Sequence, residues 1–377
     1  MDHPLKQLEF VLNVSGFSID LSSKNKFRIV FHICHNFIMM IFGIYLAILL
    51  SVDGLKQLIT EEYTYCAPIY LVTITHFVIF LQRKEIRKFV QIFKEIMPIN
   101  DKVRDNFKNI YKKTWNGVKL CILGQTLMLL LVFIWDIIDE LVALVYGYAD
   151  TTEIPPMPMV RVIGLEKGLT QKWIILLVST IYVTFWKFSL FAYLVGTNMM
   201  LVFSLNELKM FNYQLKTNYN EFLIKNPKIV MRKMIKKHNE CLRLFIALKH
   251  ATGLIFAVQN SLMALGICSL MYTATTITNI KTAILYVYGL LVFSGFTLIL
   301  CHISDLIESE GTDIYNSLYE LPWYLLSPDN RRDLTMILMR AGRPLKIDYR
   351  GILTTNLETF LQIMQTAYTY YMLLRTM

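Results

Sequence analysis

The sequence predicts an all-α membrane protein with seven transmembrane helices, a cytoplasmic N-terminus and an extracellular C-terminus. Three observations support this fold class. The 377 residues are 55% hydrophobic and only 18% charged, with a mean hydropathy of +0.44, which is far more apolar than a soluble domain requires. Runs of roughly 18 or more mostly apolar residues recur along the chain. Lysine and arginine residues are concentrated in alternate connections between these runs.

Six of the predicted spans are apolar runs that can cross a bilayer core of about 30 Å at about 1.5 Å per helical residue. They cover approximately residues 29–52, 65–81, 117–146, 173–203, 244–276 and 282–304. No removable signal peptide is expected, because the first 28 residues mix polar and charged side chains and the first apolar run is too long. The first span is therefore predicted to insert by itself.

The seventh predicted span, residues 354–377, differs from the other six because polar residues interrupt it throughout. At helical spacing, one face carries a polar stripe that becomes apolar towards its outer end. The stripe consists of Glu358 or Thr359, Gln362, Thr366, Tyr370, Leu373 and Met377. Such a face belongs against protein or water rather than lipid, so this helix is a candidate for the lining of a pore.

The distribution of positive charge predicts the orientation of the chain. The N-terminal segment and the connections at residues 82–119, 204–243 and 305–350 carry 4, 11, 9 and 6 lysines and arginines, and the opposite side carries six. The excess marks the cytoplasmic side, which places the N-terminus inside and the C-terminus outside. A seven-span G-protein-coupled receptor, the main alternative, has its N-terminus outside, so the charge count disfavours it.

The sequence lacks the residue patterns that other functional classes require. The six cysteines are scattered without the paired spacing of zinc or redox sites, and no catalytic cluster is recognisable. The net charge of +10 is not accompanied by a basic and aromatic pattern for nucleic acid. We therefore expect no enzymatic activity, no cofactor or metal, and no nucleic-acid partner. A transporter is the less favoured alternative, since no internal repeat is evident.

The C-terminal sixty residues carry the most specific pattern in the chain. The segment LPWYLLSPDNRRDLTMILMRAGRPLKI, residues 321–347, is followed by NLETFLQIMQTAYTYYMLLRTM. This pattern resembles the C-terminal signature of insect odorant receptors. The resemblance implies a ligand-gated, non-selective cation channel of four subunits in the plasma membrane of olfactory sensory neuron dendrites. The connection between spans 4 and 5 is roughly 40 residues long, shorter than in the shared odorant co-receptor subunit, so the resemblance implies a tuning subunit that has the co-receptor as its partner.

Alignment with the family on Thr369 and Tyr370 assigns roles along the last helix. The family's hydrophobic gate falls on Leu373, its outer constriction falls near Met377, and the Tyr370 ring is expected near the gate. A ring of leucine side chains in a narrow pore would exclude water and therefore ions. One and two turns further inward, Gln362 and Thr366 either face the pore or form hydrogen bonds between packed helices.

A pocket for small, apolar, weakly hydrogen-bonding odorants should be mostly aromatic and aliphatic, and we expect it among the outer halves of spans 2 to 6. In span 3, one helical face carries a methionine, a leucine and a tryptophan, and Trp135 is the strongest candidate. The candidate ligand-binding residues are Tyr70, Thr73, Met128, Leu131, Trp135, Tyr182, Trp186, Tyr286 and Tyr288. Aromatic residues also serve helix packing and membrane interfaces, so this alternative stays open.

The chain is expected to divide into three functional parts. Residues 1–304 comprise the N-terminal tail and spans 1 to 6 with the ligand-binding bundle, residues 305–350 form a cytoplasmic anchor, and residues 351–377 form the pore-lining span. A helix is predicted from about Asp329 to Gly342. The resemblance makes the anchor the place where four subunits meet, with Trp323 and Arg340 as candidate contacts. The alternative is that the segment is merely solvated surface.

Overall fold

A computed structural model describes residues 66–96, 195–219, 226–276 and 280–376, together with isolated positions between residues 6 and 123. The described elements are helices except for one two-stranded hairpin. Predicted spans 1 and 3 and most of span 4 lie outside the described residues, apart from isolated positions. The labels α1 to α6 below number the described α-helices in chain order.

Helices α1 and α2 extend well beyond the apolar runs that predicted them. Helix α1 spans Cys66–Ile96, whereas its apolar run ends near residue 81. Helix α2 spans Thr197–Gln214 and continues into a π-helix at Leu215–Tyr219. The charged residues that end each apolar run are well solvated once they lie outside the bilayer, and they still favour a helical backbone. The helix therefore continues after the apolar run has ended.

The extensions of α1 and α2 belong to one hydrophobic core. In α1, Phe89 stacks on Phe93 with ring centroids 6.2 Å apart, and Phe93 stacks on Phe203 of α2 at 5.5 Å. All three rings are fully buried. Each such ring removes a large apolar area from water or lipid, so these contacts hold the inner ends of α1 and α2 together.

Helix α3, Pro227–Thr276, is the central element of the fold. Its 50 residues correspond to about 75 Å of helix, more than twice the thickness of a bilayer core. Span 5 was predicted to begin near residue 244, so the helix continues inward for more than four turns beyond it. Helix α3 packs against α1 and α2 and against four later elements, which are α4 (Ile280–Tyr319), α5 (Pro328–Ala341), strand β1 (Asp348–Tyr349) and α6 (Leu357–Thr376). Movement of any neighbour therefore reaches the others through α3.

Helix α4, Ile280–Tyr319, likewise continues past the predicted end of span 6 near residue 304. Within the part of the chain that the structure describes, α3 and the stretch Tyr286–Tyr319 of α4 are long and apolar enough to cross a membrane. Three cysteines on these helices, Cys241, Cys268 and Cys301, are buried and free of disulfide bonds. Such burial is typical of free cysteines that act as small hydrophobic residues.

The chain after α4 folds into a short connection, a helix and a hairpin. A 3-10 helix at Trp323–Leu325 precedes helix α5. Helix α5 spans Pro328–Ala341 and confirms, within one residue at each end, the helix predicted at residues 329–342. Strands β1, Asp348–Tyr349, and β2, Leu353–Thr354, pair antiparallel. Helix α6, Leu357–Thr376, follows directly and begins three residues later than the predicted seventh span.

A buried polar network joins α2, α3 and α4 on the side that the charge count assigns to the cytoplasm. The Glu207 carboxylate is fully buried and pairs with Lys237 Nζ at 3.3 Å. The Asn212 amide nitrogen donates to Glu310 at 2.7 Å, and its amide oxygen accepts from the Ser317 hydroxyl at 2.7 Å. Buried polar groups with satisfied hydrogen bonds fix relative helix positions, so this side of the bundle is held in one arrangement.

Candidate functional site

Helix α6 packs by one face only. Ile363, Ala367 and Tyr371 recur every fourth residue and are buried against α3 and α4. The polar stripe is turned away from this face, because Gln362 is exposed, Tyr370 is 41% exposed and Leu373 is 59% exposed. These three side chains are therefore free of close packing by the described helices, whereas Thr366 between them is half-buried.

Thr366, a further member of the stripe, is half-buried. The Thr366 hydroxyl donates to the Gln362 carbonyl of its own helix at 2.7 Å, so this hydrogen bond does not join α6 to a neighbour. Met377 lies outside the described residues. The pore role of all five residues, Gln362, Thr366, Tyr370, Leu373 and Met377, stays a prediction.

The inner end of α6 is capped by polar groups. The Asn356 side chain accepts a hydrogen bond from the Thr359 backbone N–H at 2.8 Å, as an N-cap residue does. The Asp305 carboxylate of α4 accepts from the Leu357 N–H at 3.1 Å. A negative charge at a helix N-terminus also interacts favourably with the helix dipole. The end of α6 is therefore fixed to α4 by a charged acceptor.

The hairpin attaches the same end of α6 to α3. The Asp348 carboxylate accepts from Lys249 Nζ of α3 at 2.6 Å and from the Gly351 N–H at 2.6 Å. Arg350 and Gly351 both have positive φ, 54° and 75°, which a tight hairpin turn requires. Seven residues after Asp348, the Thr355 hydroxyl accepts from the Asn260 amide of α3 at 3.3 Å.

Three of the candidate ligand-binding residues have described side chains. Thr73 of α1 and Tyr286 of α4 are buried, and Tyr288 is half-buried. Helices α1 and α4 both pack against α3. Thr73 and Tyr286 therefore lie on two helices that both pack against α3. Among the described residues, no direct contact joins these two side chains.

The other candidate ligand-binding residues cannot be placed by their side chains. Tyr70 belongs to α1, but its side chain is outside the described part. Met128, Leu131, Trp135, Tyr182 and Trp186 lie outside the described residues. Their roles stay predictions.

The two candidate anchor residues occupy different environments. Trp323 is 49% exposed and makes an edge contact with the Tyr324 ring at 6.1 Å, so it is available to a partner. Arg340 is half-buried and lines a cavity of about 20 Å³ with His238 and Cys241. Arg340 therefore already contributes to packing inside the chain, and its role in subunit contact stays a prediction.

Burial shifts the pKa of two groups beside that cavity. Desolvation, followed by the nearby Arg340 charge, lowers the pKa of His238 to about 4, so the imidazole is neutral near pH 7. Desolvation raises the pKa of Cys241 to about 12 and keeps the thiol protonated. Neither group is charged near pH 7, so Arg340 faces a neutral imidazole and a neutral thiol at this cavity.

An open groove of about 620 Å³ lies between α3 and α5, away from α6. Lys228, Arg232 and Lys236 line its α3 wall, and Asp329 and Asp333 line its α5 wall. Its charged lining differs from the mostly aromatic and aliphatic lining expected for an odorant pocket. The sequence did not reveal this groove, because its two walls are about 100 residues apart in the chain.

Known proteins share both the sequence pattern and the fold. The family model described as 7tm Odorant receptor matches residues 56–368. Odorant receptor 10 of Aedes albopictus is 25% identical over 178 residues, 46% of this chain and 47% of that protein. The odorant receptor coreceptor of Harpegnathos saltator is 20% identical over 157 residues, 40% of this chain and 33% of that protein. The chain thus spans between a third and about half of the length of these curated relatives.

Solved structures cover nearly the whole chain. The olfactory receptor OR5 of the insect Machilis hrabei, in complex with eugenol, superposes with a TM-score of 0.75 at 16% identity, covering 99% of this chain and 97% of that one. Its structure described without eugenol gives a TM-score of 0.73, also at 16% identity, covering 98% and 96%. This likeness confirms the all-α, seven-span membrane fold. Because the family model matches most of its length, the chain belongs to the 7tm odorant receptor family.

Proposed function

We propose that the chain is the odorant-binding, tuning subunit of a ligand-gated, non-selective cation channel whose pore is lined by α6. The observation that carries this proposal is the uncovered stripe on α6. Gln362, Tyr370 and Leu373 remain exposed although the adjoining face of the same helix is packed. Polar groups facing lipid are costly, so the stripe requires water, another subunit or both.

The barrier to ions is proposed to be Leu373. Four leucine side chains around a narrow axis would keep the pore dry, and an ion cannot pass without water. Turning Leu373 away from the axis would admit water. The polar groups at Gln362 and Thr366 would then contact the permeating ions on the inner side of the gate, with Tyr370 beside it and Met377 at the outer constriction.

The ligand is proposed to be a small, volatile, apolar molecule bound among the outer halves of spans 2 to 6. The nine residues predicted from the sequence are its candidate contacts, of which Thr73 and Tyr286 are buried on helices adjoining α3. A ligand opens the channel only by binding the open form more tightly than the closed form. Since α3 contacts α1, α4 and α6, it offers a direct mechanical connection between the pocket and the pore.

The proposed partner is the co-receptor subunit, in a tetramer in the plasma membrane of olfactory sensory neuron dendrites. Similarity to the coreceptor of Harpegnathos saltator supports a common mode of assembly. The exposed aromatic ring of Trp323 is suited to a subunit contact on the cytoplasmic side, because large aromatic side chains are enriched at interfaces. Arg340 is the second candidate contact.

The test is to express the chain with and without a co-receptor subunit and to record currents during application of an odorant panel. We expect odorant-evoked cation current only when both subunits are present, with the co-receptor alone as control. Epitope tags on intact cells should show an extracellular C-terminus. A response that requires a G protein, together with an extracellular N-terminus, would instead support the receptor alternative. Dependence of the current on a co-transported solute gradient would support the transporter.

A further inference from the structure

The hairpin before α6 is seated on α3 by a carboxylate that uses both of its oxygens. One oxygen of Asp348 accepts from Lys249 at 2.6 Å, and the other accepts from the Gly351 N–H in the hairpin turn at 2.6 Å. Asp348 is 8% exposed, and the Lys249 side chain is 36% exposed. A charge-assisted pair with one largely buried partner is more specific in geometry than a surface pair. The hairpin therefore cannot slide along α3 without breaking this contact.

A glycine on α3 allows the hairpin to lie this close. A Cβ atom at Gly253 would come within 2.9 Å of the Asp348 carbonyl oxygen, a distance that real Cβ atoms essentially never show. Gly253 lies four residues after Lys249, so both occupy one face of α3. Asn260 continues the same contact towards Thr355. The ion pair of Lys249 and the absence of a Cβ atom at Gly253 thus fix one position of the hairpin on α3.

We propose that Lys249, Gly253 and Asp348 form a clamp that transmits movement of α3 to the pore helix, so that these are positioning residues for gating. The inference rests on the proposed channel function. Helix α6 begins only nine residues after Asp348, and its first turn is capped by Asn356. The connection from Asp348 to α6 is short, is bonded to α3 at one end and supplies the N-cap of α6 at the other. It therefore couples the two helices. Without the clamp, only the side-chain packing of α6 on α3 would couple the two helices.

The first test breaks the ion pair in the complete channel with its co-receptor. Asp348→Asn and Lys249→Gln should each lower the maximum odorant-evoked current per surface channel by about fivefold or more, the low end of typical coupling between sites. Single-channel mean open time should shorten, a change that loss of folded protein cannot produce. Lys249→Arg keeps the positive charge and should retain most of the current. The double variant should be no worse than either single variant, because both remove the same contact.

The chain provides a matched control for the ion pair. Lys346, two residues before Asp348, pairs with Glu308 at 3.4 Å on a more exposed surface. Exposed ion pairs contribute little, so Lys346→Gln should leave mean open time and maximum current unchanged. This control separates loss of the clamp from loss of any positive charge near the hairpin.

The second test uses sterics rather than charge. Gly253→Ala should push the hairpin backbone away from α3 and shorten mean open time in the same way as Asp348→Asn. Gly295→Ala on α4 is the control, because an added Cβ there meets nothing within 4 Å. Both variants change helix propensity equally, so only the contact with Asp348 distinguishes them.

Three results would overturn the clamp. Wild-type current with unchanged mean open time in Asp348→Asn and Gly253→Ala would show that gating does not need it, while the proposed channel function would stand. Absence of all clamp variants from the cell surface, with both controls present there, would assign these residues to folding rather than gating. Absence of any odorant-evoked current from the wild-type complex would overturn the channel function and the clamp together.

Discussion

The two ends of α6 are held by different kinds of contact. At the inner end, Asn356, Asp305 and Thr355 take part in directional hydrogen bonds to α6 itself or to α3 and α4. Towards the outer end, Ala367 and Tyr371 pack by apolar contact, and no hydrogen bond to another described helix is recorded beyond Thr359. Apolar contacts are not directional, so the outer half can rotate or shift at lower cost than the inner end.

This difference matches what a pore helix with an outer gate requires. Leu373 lies in the half that makes no hydrogen bond to another described helix, whereas the capped inner end lies beside the hairpin. A fixed base and a movable outer half would allow the gate to open without disturbing the subunit contacts. The contrast can be tested by removing one contact of each kind.

The largest expected effect on stability is at Tyr371. Tyr371→Ala removes a buried ring that is 8% exposed, and loss of a large buried side chain costs about 3 kcal/mol. Tyr370→Ala is the matched control on the neighbouring position, where the ring is 41% exposed. Thermal unfolding of the purified complex should show a clear loss for Tyr371→Ala and little change for Tyr370→Ala. Equal losses would mean that Tyr370 is packed by the chain's own helices or by its partner.

A smaller effect is expected at the inner end. Asn356→Ala removes the N-cap of α6 and should reduce the free energy of unfolding by about 1 kcal/mol. Thr369→Ala is a suitable control, because the Thr369 hydroxyl donates only to the Gln365 carbonyl of its own helix. The same thermal unfolding measurement applies. A loss at Thr369 as large as that at Asn356 would remove the distinction between the two ends.

The sequence predicted the elements that rest on local patterns. Apolar runs located the described spans, and Asp329 with Gly342 marked α5 within one residue at each end. The pore role of the polar stripe on α6 stays a prediction. It underestimated helix lengths, since α3 begins at Pro227 rather than near residue 244. Hydropathy indicates which residues lie in the bilayer core, whereas a helix ends only where its backbone hydrogen-bond pattern is broken.

Contacts between distant residues could not be predicted in this way. Lys249 and Asp348 are 99 positions apart in the sequence, and the hairpin strands of two residues each are too short for a period-two pattern. The hairpin turn, where Arg350 and Gly351 both have positive φ, was not predicted from the sequence either. No local pattern indicated that Gly253 would face the hairpin.

The most direct test of the account is the resting current of Leu373→Ser channels formed with the co-receptor. Leu361→Ser is the matched control, because Leu361 is 56% exposed and Leu373 is 59% exposed, but Leu361 lies outside the stripe on the same helix. If Leu373 forms the dry gate, serine will wet the pore and raise the odorant-free current, while Leu361→Ser will not. An unchanged resting current in Leu373→Ser channels that reach the surface would contradict the central claim.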